Sequence, residues 1–241
     1  LAATKRSAQA LWLDNEPQAW AVSLLLTQMH DPSTSVQESA IHELEQACGN
    51  PTMAQCAMQQ GPPIELLARN STFALLGLAE ERGFSAMHCA GLLGPLAQVW
   101  YAREHITYVA RAEALVTKSA NLPPHLYGQL ARTHKGCAYL VELNVLTEWR
   151  EVLVSHACEA YDISLLTRVK AALWACGHMG ASDLGIDVLA SHGLLDGLFG
   201  ASKSPVVSVR GTLFFVCGLL TQCKRGREIL ASYEWTCSSA V

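Results

Sequence analysis

The chain has 241 residues, half of them apolar and 16% charged, with a formal net charge of −4. That balance excludes an intrinsically disordered chain, and the lack of basic excess argues against nucleic acid as a partner. No uncharged apolar run reaches 18 residues, so no membrane-spanning helix is expected.

The opening LAATKRSA carries a basic pair but no long apolar core behind it, so it does not read as a signal peptide. It lacks an initiating Met, and the ends are abrupt, as expected of a piece of a longer protein. Leu and Ala dominate and aromatics make up only 7%, which favours helix. Alternating β-branched residues hardly occur, whereas apolar residues recur at helical spacing. In chain order the pattern predicts helices over 17–30, 34–48, 51–60, 63–69, 71–80, 83–93, 95–102, 104–118, 123–133, 135–143, 145–158, 162–181, 183–191, 193–200, 205–221 and 225–233. Turn signals separate them: His30-Asp31-Pro32, Gly49-Asn50-Pro51, Gly61-Pro62-Pro63, Leu122-Pro123-Pro124 and Ser204-Pro205. The Ser residues of Asp31–Val36 and Ser204–Val209 are placed to cap the helices that follow.

Many short helices suggest internal repetition. Val169, Leu173 and Trp174 match Val209, Leu213 and Phe214 at an offset of 40. Gly185, Leu189, Ala190 and Ser191 match Gly226, Leu230, Ala231 and Ser232 at an offset of 41. A Gly-x-x-x-apolar pattern opens a helix at Gly83, Gly136, Gly185 and Gly226, with uneven spacings of 53, 49 and 41. The reading of these glycines is clearance between closely packed helices. The period is near the armadillo/HEAT range. The expected fold is an all-α, armadillo/HEAT-like helical-repeat solenoid, continuous through irregular repeats over 1–118 and further repeats over 119–241.

LWACGHMG, residues 173–180, contains the ligand types of a copper site. On a helix, Cys176 and His178 are about 200° apart and cannot chelate one ion. The repeat copy replaces Cys176 by Val216 and Met179 by Leu219, as core packing would. The segment is apolar on both sides, as in a central helix wrapped by neighbours. The nine cysteines include no C-x-x-C pair and mostly lie in apolar runs, so reduced, buried thiols in the cytosol are expected. His88-Cys89 and His156-Ala157-Cys158 do not face each other on a helix. His125 reads as a helix-start residue, and Glu80, Glu81, Glu148 and Glu151 as solvated positions. No nucleotide, nucleophile-elbow or zincin motif occurs. No catalytic, cofactor-binding or metal residue is therefore assigned. Arg168, Lys170 and Arg210 begin equivalent helices, and Lys170 and Arg210 are direct equivalents. They are the candidate partner-binding residues, against the plainer reading of solubilising charge. Lys224, Arg225 and Arg227 form a second basic cluster.

Six segments together carry a family resemblance. They are LLLTQMHDPSTSVQESAIHELEQAC, RGFSAMHCAGLL with VWYAREHITYV, PPHLYGQLARTHKGCAYL, AALWACGHMGASDLGIDVL, VVSVRGTLFFVCGLL and GREILASYEW. In this order they resemble the helical-repeat region of the Rictor family. The resemblance implies a non-catalytic scaffold subunit of TOR complex 2. Its partners would be the TOR kinase, a β-propeller subunit and a Sin-type substrate-recruiting subunit. The complex phosphorylates AGC-family kinases such as Akt and influences actin organisation. It also implies a cytoplasmic location, with recruitment to the plasma membrane as part of the complex. The alternative on residues alone is a stand-alone armadillo/HEAT adaptor that binds peptides or acidic segments.

Overall fold

Sixteen α-helices run through the residues described by the computed structural model, which are 15–61, 63–69, 71–116, 122–159 and 162–235. No strand occurs among them, and none of their helices is long and apolar enough to cross a membrane. The fold is all-α. The chain forms two units that divide between Leu92 and Leu93. The boundary expected at 118/119 lies outside the described residues.

The first unit contains α1 (Asn15–Gln28), α2 (Thr34–Ala47), α3 (Pro51–Gln60), α4 (Ile64–Arg69), α5 (Ser71–Gly77) and α6 (Glu81–Cys89). Helix α1 packs on α2 and α3, and α3 packs on α5 and α6. Val22, Leu44, Met58, Leu66, Phe73 and Leu78 are fully or almost fully buried in this core. Asn50 caps α3 through its side chain, which accepts from the Thr52 N–H. The expected Ser33 cap is not made. Ser33 stands at the N-cap without a side-chain bond, and its own N–H goes to Asp31 Oδ1 at 2.8 Å.

The second unit contains α7 (Leu93–Val99), a π-helical turn (Trp100–Glu104) and α8 (His105–Val116). Then come α9 (Leu126–Leu130), α10 (His134–Glu142), α11 (Val145–His156), α12 (Ile163–Met179), α13 (Asp183–Ser191) and α14 (Leu194–Gly200). A 3₁₀ turn (Ala201–Lys203) leads to α15 (Val207–Leu220) and α16 (Lys224–Ser232). Helix α12 is the centre. It packs against α8, α9, α11 and α15, and every residue from Ala171 to Gly177 is buried. A methyl group on Gly180 would lie 2.1 Å from Leu220 Cδ2 of α15, so the small residue there sets how closely the two helices approach. Helix α9 starts later than expected, because Pro123-Pro124 and an extended His125 precede it. Helix α15 begins after Val206 rather than on a Ser cap; Ser204 Oγ accepts only from the Val206 N–H, at 3.3 Å.

The repeat is sharper in the backbone than in the letters. Helices α6, α10, α13 and α16 are each nine residues long. In each case the preceding helix ends six residues before the pattern glycine, at Gly77, Leu130, Met179 and Leu220. A methyl group on that glycine would lie 2.1 to 2.2 Å from the carbonyl oxygen of that last residue. Eight residues after each glycine the chain turns left-handed, at Gly91, Asn144, Gly193 and Glu234, with φ between 56° and 69°. These are all the left-handed residues among those described. At Gly91 and Glu234 the turn closes by a bond from the next N–H, Leu92 to Met87 and Trp235 to Leu230, both 3.0 Å. Glu234 holds this conformation without glycine's freedom, which costs about 1–2 kcal/mol.

Three of the four turns also carry a side-chain cap. Thr133, Ser182 and Cys223 accept from the N–H groups of Gly136, Gly185 and Gly226. Two of these caps reach the preceding copy as well. Ser182 Oγ donates to the Ala131 carbonyl at 2.8 Å, and Cys223 Sγ to the Gly180 carbonyl at 3.3 Å. Ala131 and Gly180 stand at the same place, two residues before the cap of their own copy. One residue therefore ends a turn and links neighbouring repeats.

Candidate functional site

The three basic residues singled out in the sequence lie on α12 and α15, and each has a partner. Arg168 Nη2 pairs with Glu148 Oε1 of α11 at 3.1 Å. Lys170 Nζ pairs with Glu113 Oε1 of α8 at 2.8 Å, with a mostly covered side chain. The guanidinium of Arg210 donates to the Ser204 carbonyl. It meets no carboxylate among the described residues. The second basic cluster is also locally satisfied. Arg225 reaches Asp187 at 3.2 Å and Glu228 at 3.3 Å, Lys224 reaches Glu228 at 3.9 Å, and Arg227 donates to the Thr221 carbonyl. Exposed pairs of this kind contribute little to stability.

Below α12's basic start lies a cluster of aromatic and imidazole rings. The π-helical turn inserts one extra residue before α8 and places Trp100 in the core. His125 and His178 stack with ring centres 4.8 Å apart and planes within 9°. Tyr108 and Trp100 meet His125 edge-on at 4.7 and 5.1 Å. Tyr108 Oη bonds to the Pro123 carbonyl at 3.0 Å and to His178 Nε2 at 2.7 Å. When the phenol proton is on Pro123, the neutral imidazole donates from Nε2. Burial, with the Arg132 charge adding to it, lowers His178 to about 4. Burial carries His125 well below its usual value, with His178, His105 and Arg111 adding to the effect. Both rings are uncharged at neutral pH. This cluster was missed in the sequence because its members are far apart there and meet only through packing.

Beside it a cavity of about 550 Å³ opens against Ala97, Tyr101, Tyr127, Leu143, Glu148 and Glu151. Its size is ordinary for a small-molecule pocket. Glu148, expected from the sequence to be solvated, stays partly exposed but has partners. It accepts from Tyr101 Oη at 2.6 Å and from Arg168 at 3.1 Å, and this bond raises the Tyr101 hydroxyl above its usual range. The carboxylate is thus shared between a phenol and a guanidinium, which leaves it poorly placed as a general base.

Three buried thiols are also held in their unreactive form. Burial pushes Cys48 and Cys176 up to about 12 and Cys217 to about 11, so they stay protonated. None of the eight cysteines among the described residues forms a disulfide. The expectation of burial holds for Cys48, Cys137, Cys176, Cys217 and Cys223, but Cys89 and Cys158 are exposed. Among the described residues no group of three or more His, Cys, Asp or Glu side chains is arranged to hold a metal ion. His178 of LWACGHMG is used by Tyr108 and His125, while Cys176 and Met179 are fully buried.

Comparison with known proteins agrees along the chain. Residues 16–122 match the family model for the rapamycin-insensitive companion of mTOR RasGEF_N domain. Residues 167–236 match the model for rapamycin-insensitive companion of mTOR, domain 5. The chain is 28% identical to the rapamycin-insensitive companion of mTOR of Homo sapiens over 243 residues, covering 90% of this chain and 14% of that protein. It is 29% identical to target of rapamycin complex 2 subunit ste20 of Schizosaccharomyces pombe, covering 90% of this chain and 18% of that protein. Protein pianissimo A of Dictyostelium discoideum is 25% identical, with 90% and 20% covered.

Proposed function

The chain belongs to the Rictor family, and from that premise we propose that it is a non-catalytic, structural part of a TOR complex 2 subunit. The observation that carries the reading is the match to family models at both ends of the chain, over 16–122 and 167–236. The Schizosaccharomyces pombe relative is itself named as a subunit of that complex. The chain spans 14% of the human relative's length, so its role is that of one region of a large subunit. Its helices are the repeats of an armadillo/HEAT-like solenoid, a reading supported by the recurring cap, glycine and left-handed turn. In the complex this subunit organises the TOR kinase, its β-propeller subunit and a Sin-type substrate-recruiting subunit, so that AGC-family kinases are phosphorylated. The protonated thiols and the shared Glu148 carboxylate support a structural rather than a catalytic part. The complex works in the cytoplasm and at the plasma membrane.

The test is depletion of the parent protein from its own cells. Phosphorylation of an AGC-family kinase at its TOR-dependent site should fall several-fold and return when the parent is restored. Unchanged phosphorylation after complete depletion would sink the proposal.

A further inference from the structure

The outward face of α15 repeats a docking site that is filled on α12. The two helices correspond at an offset of 40: Lys170 with Arg210, Ala171 with Gly211, Trp174 with Phe214, and His178 with Gly218. On α12 this face is covered by α8. Glu113 of α8 pairs with Lys170 at 2.8 Å, and Tyr108 meets the Trp174 ring at 6.2 Å and His178 Nε2 at 2.7 Å. Glu113 lies at the start of α12 and Tyr108 toward its end, so the covering helix runs antiparallel. It buries Tyr108, Val109 and Ala112.

On α15 the same positions are bare. Val207 is 71% exposed and Phe214 68%. Val207, Gly211, Phe214 and Gly218 fall within an arc of about 60° on the helix. Nothing lies within 4 Å of where a methyl group on Gly211 or Gly218 would stand. Phe214 therefore rises between two open shelves. No charged residue lies on this line, which is unusual for a solvent-facing stripe. Arg210, the counterpart of Lys170, is exposed and has the Ser204 carbonyl but no carboxylate among the described residues.

We propose that this face of α15 binds an amphipathic helix of a partner protein. That helix runs antiparallel to α15, packs apolar side chains over Gly211 and Gly218 on either side of Phe214, and sets a carboxylate on Arg210. Charge complementarity follows the Lys170–Glu113 pair, and the shelves suit a helix with a bulky apolar stripe. The inference stands on the α12–α8 pairing and does not depend on which complex the parent joins.

The probe is a labelled, helix-stapled peptide copying α8, residues 105–116, with a second peptide in which the residue corresponding to Glu113 is Lys. Binding to the 241-residue chain is read by fluorescence anisotropy. The α8 peptide should bind the wild-type chain, and Phe214→Ala should weaken it at least about tenfold, as for a central aromatic anchor. Arg210→Glu should weaken it likewise and bind the Lys peptide better than the wild-type chain does. Both side chains are exposed, so circular dichroism should show both variants folded. No binding overturns the proposal. So does equal binding to all variants, as displacement of α8 from α12 would give. So does loss in Arg210→Glu without recovery by the Lys peptide. A wild-type dimer in sedimentation that Phe214→Ala dissolves would assign the face to a second copy and overturn it too, and peptide binding to the 241-residue chain but not to the full-length parent would assign it to the parent's own helices and overturn it likewise.

Discussion

Gly185→Ala is expected to lower the melting temperature of the chain by about 6–12 °C. The added methyl group would lie 2.1 Å from the Met179 carbonyl oxygen and 2.8 Å from Ala131 Cβ. Neither neighbour is the free end of a flexible side chain. The first is the last residue of α12, and the second belongs to the turn of the preceding copy. Relief therefore requires the α12–α13 turn to open, which strains the Ser182 bonds to Gly185 N and Ala131 O. Overpacking typically costs about 1–3 kcal/mol, this contact with backbone belongs at the upper end, and a kilocalorie is worth roughly 2–4 °C in a domain of this size. Gly211→Ala is the matched control. It makes the same chemical change on an exposed helical glycine with open space around it. It should raise stability by about 0.5–1 kcal/mol, because alanine loses less backbone entropy in a helix. Thermal unfolding followed by circular dichroism checks both. Equal effects from the two substitutions would mean that contact at the repeat turn does not govern stability.

Acidification is expected to destabilise the second unit between about pH 6.5 and pH 4. His178 takes a proton only near 4 in the folded chain, because burial is its largest influence and the Arg132 charge adds to it. His125 is held well below its usual value, first by burial. In the unfolded chain both titrate near their ordinary value of about 6.5. Within this window the unfolded state binds more protons, so stability falls as pH falls. Each histidine contributes up to about 1.4 kcal/mol per pH unit. The stacked pair adds to this, because a charge on one ring disfavours a charge on the other. His178→Gln keeps a polar group near Tyr108 and should make the dependence shallower, leaving the part due to His125. Urea denaturation at a series of pH values measures this. Stability that is flat from pH 7 to pH 5 would contradict the assignment of two neutral, buried imidazoles.

The helices were legible in the sequence because their apolar residues recur at 3.6-residue spacing and their ends carry Pro, Gly and Asn. The centrality of α12 was legible for the same reason: a helix apolar all round must be covered all round, and Ala171–Gly177 are buried. The pattern glycines were found, but not the left-handed residue eight positions later. Its identity changes from Gly to Asn to Gly to Glu, so the shared property is a backbone angle and not a side chain. The ring cluster and the ion pairs were hidden for a different reason. Tyr108 meets His178 across 70 residues, and Lys170 meets Glu113 across 57, distances at which local spacing carries no information. The partners of Glu148, Tyr101 and Arg168, were hidden likewise because they lie on other helices. The equivalence of Lys170 and Arg210 was visible in the repeat. Its meaning emerged only when one of the two was seen paired and covered and the other bare.

The membership of a TOR complex 2 subunit is tested most directly by purifying the full-length parent from its own cells under an affinity tag and quantifying the proteins that come with it. We expect the TOR kinase, the β-propeller subunit and the Sin-type subunit in near-equal amounts with the parent. Recovery of a clean, full-length parent without any TOR kinase would contradict the account.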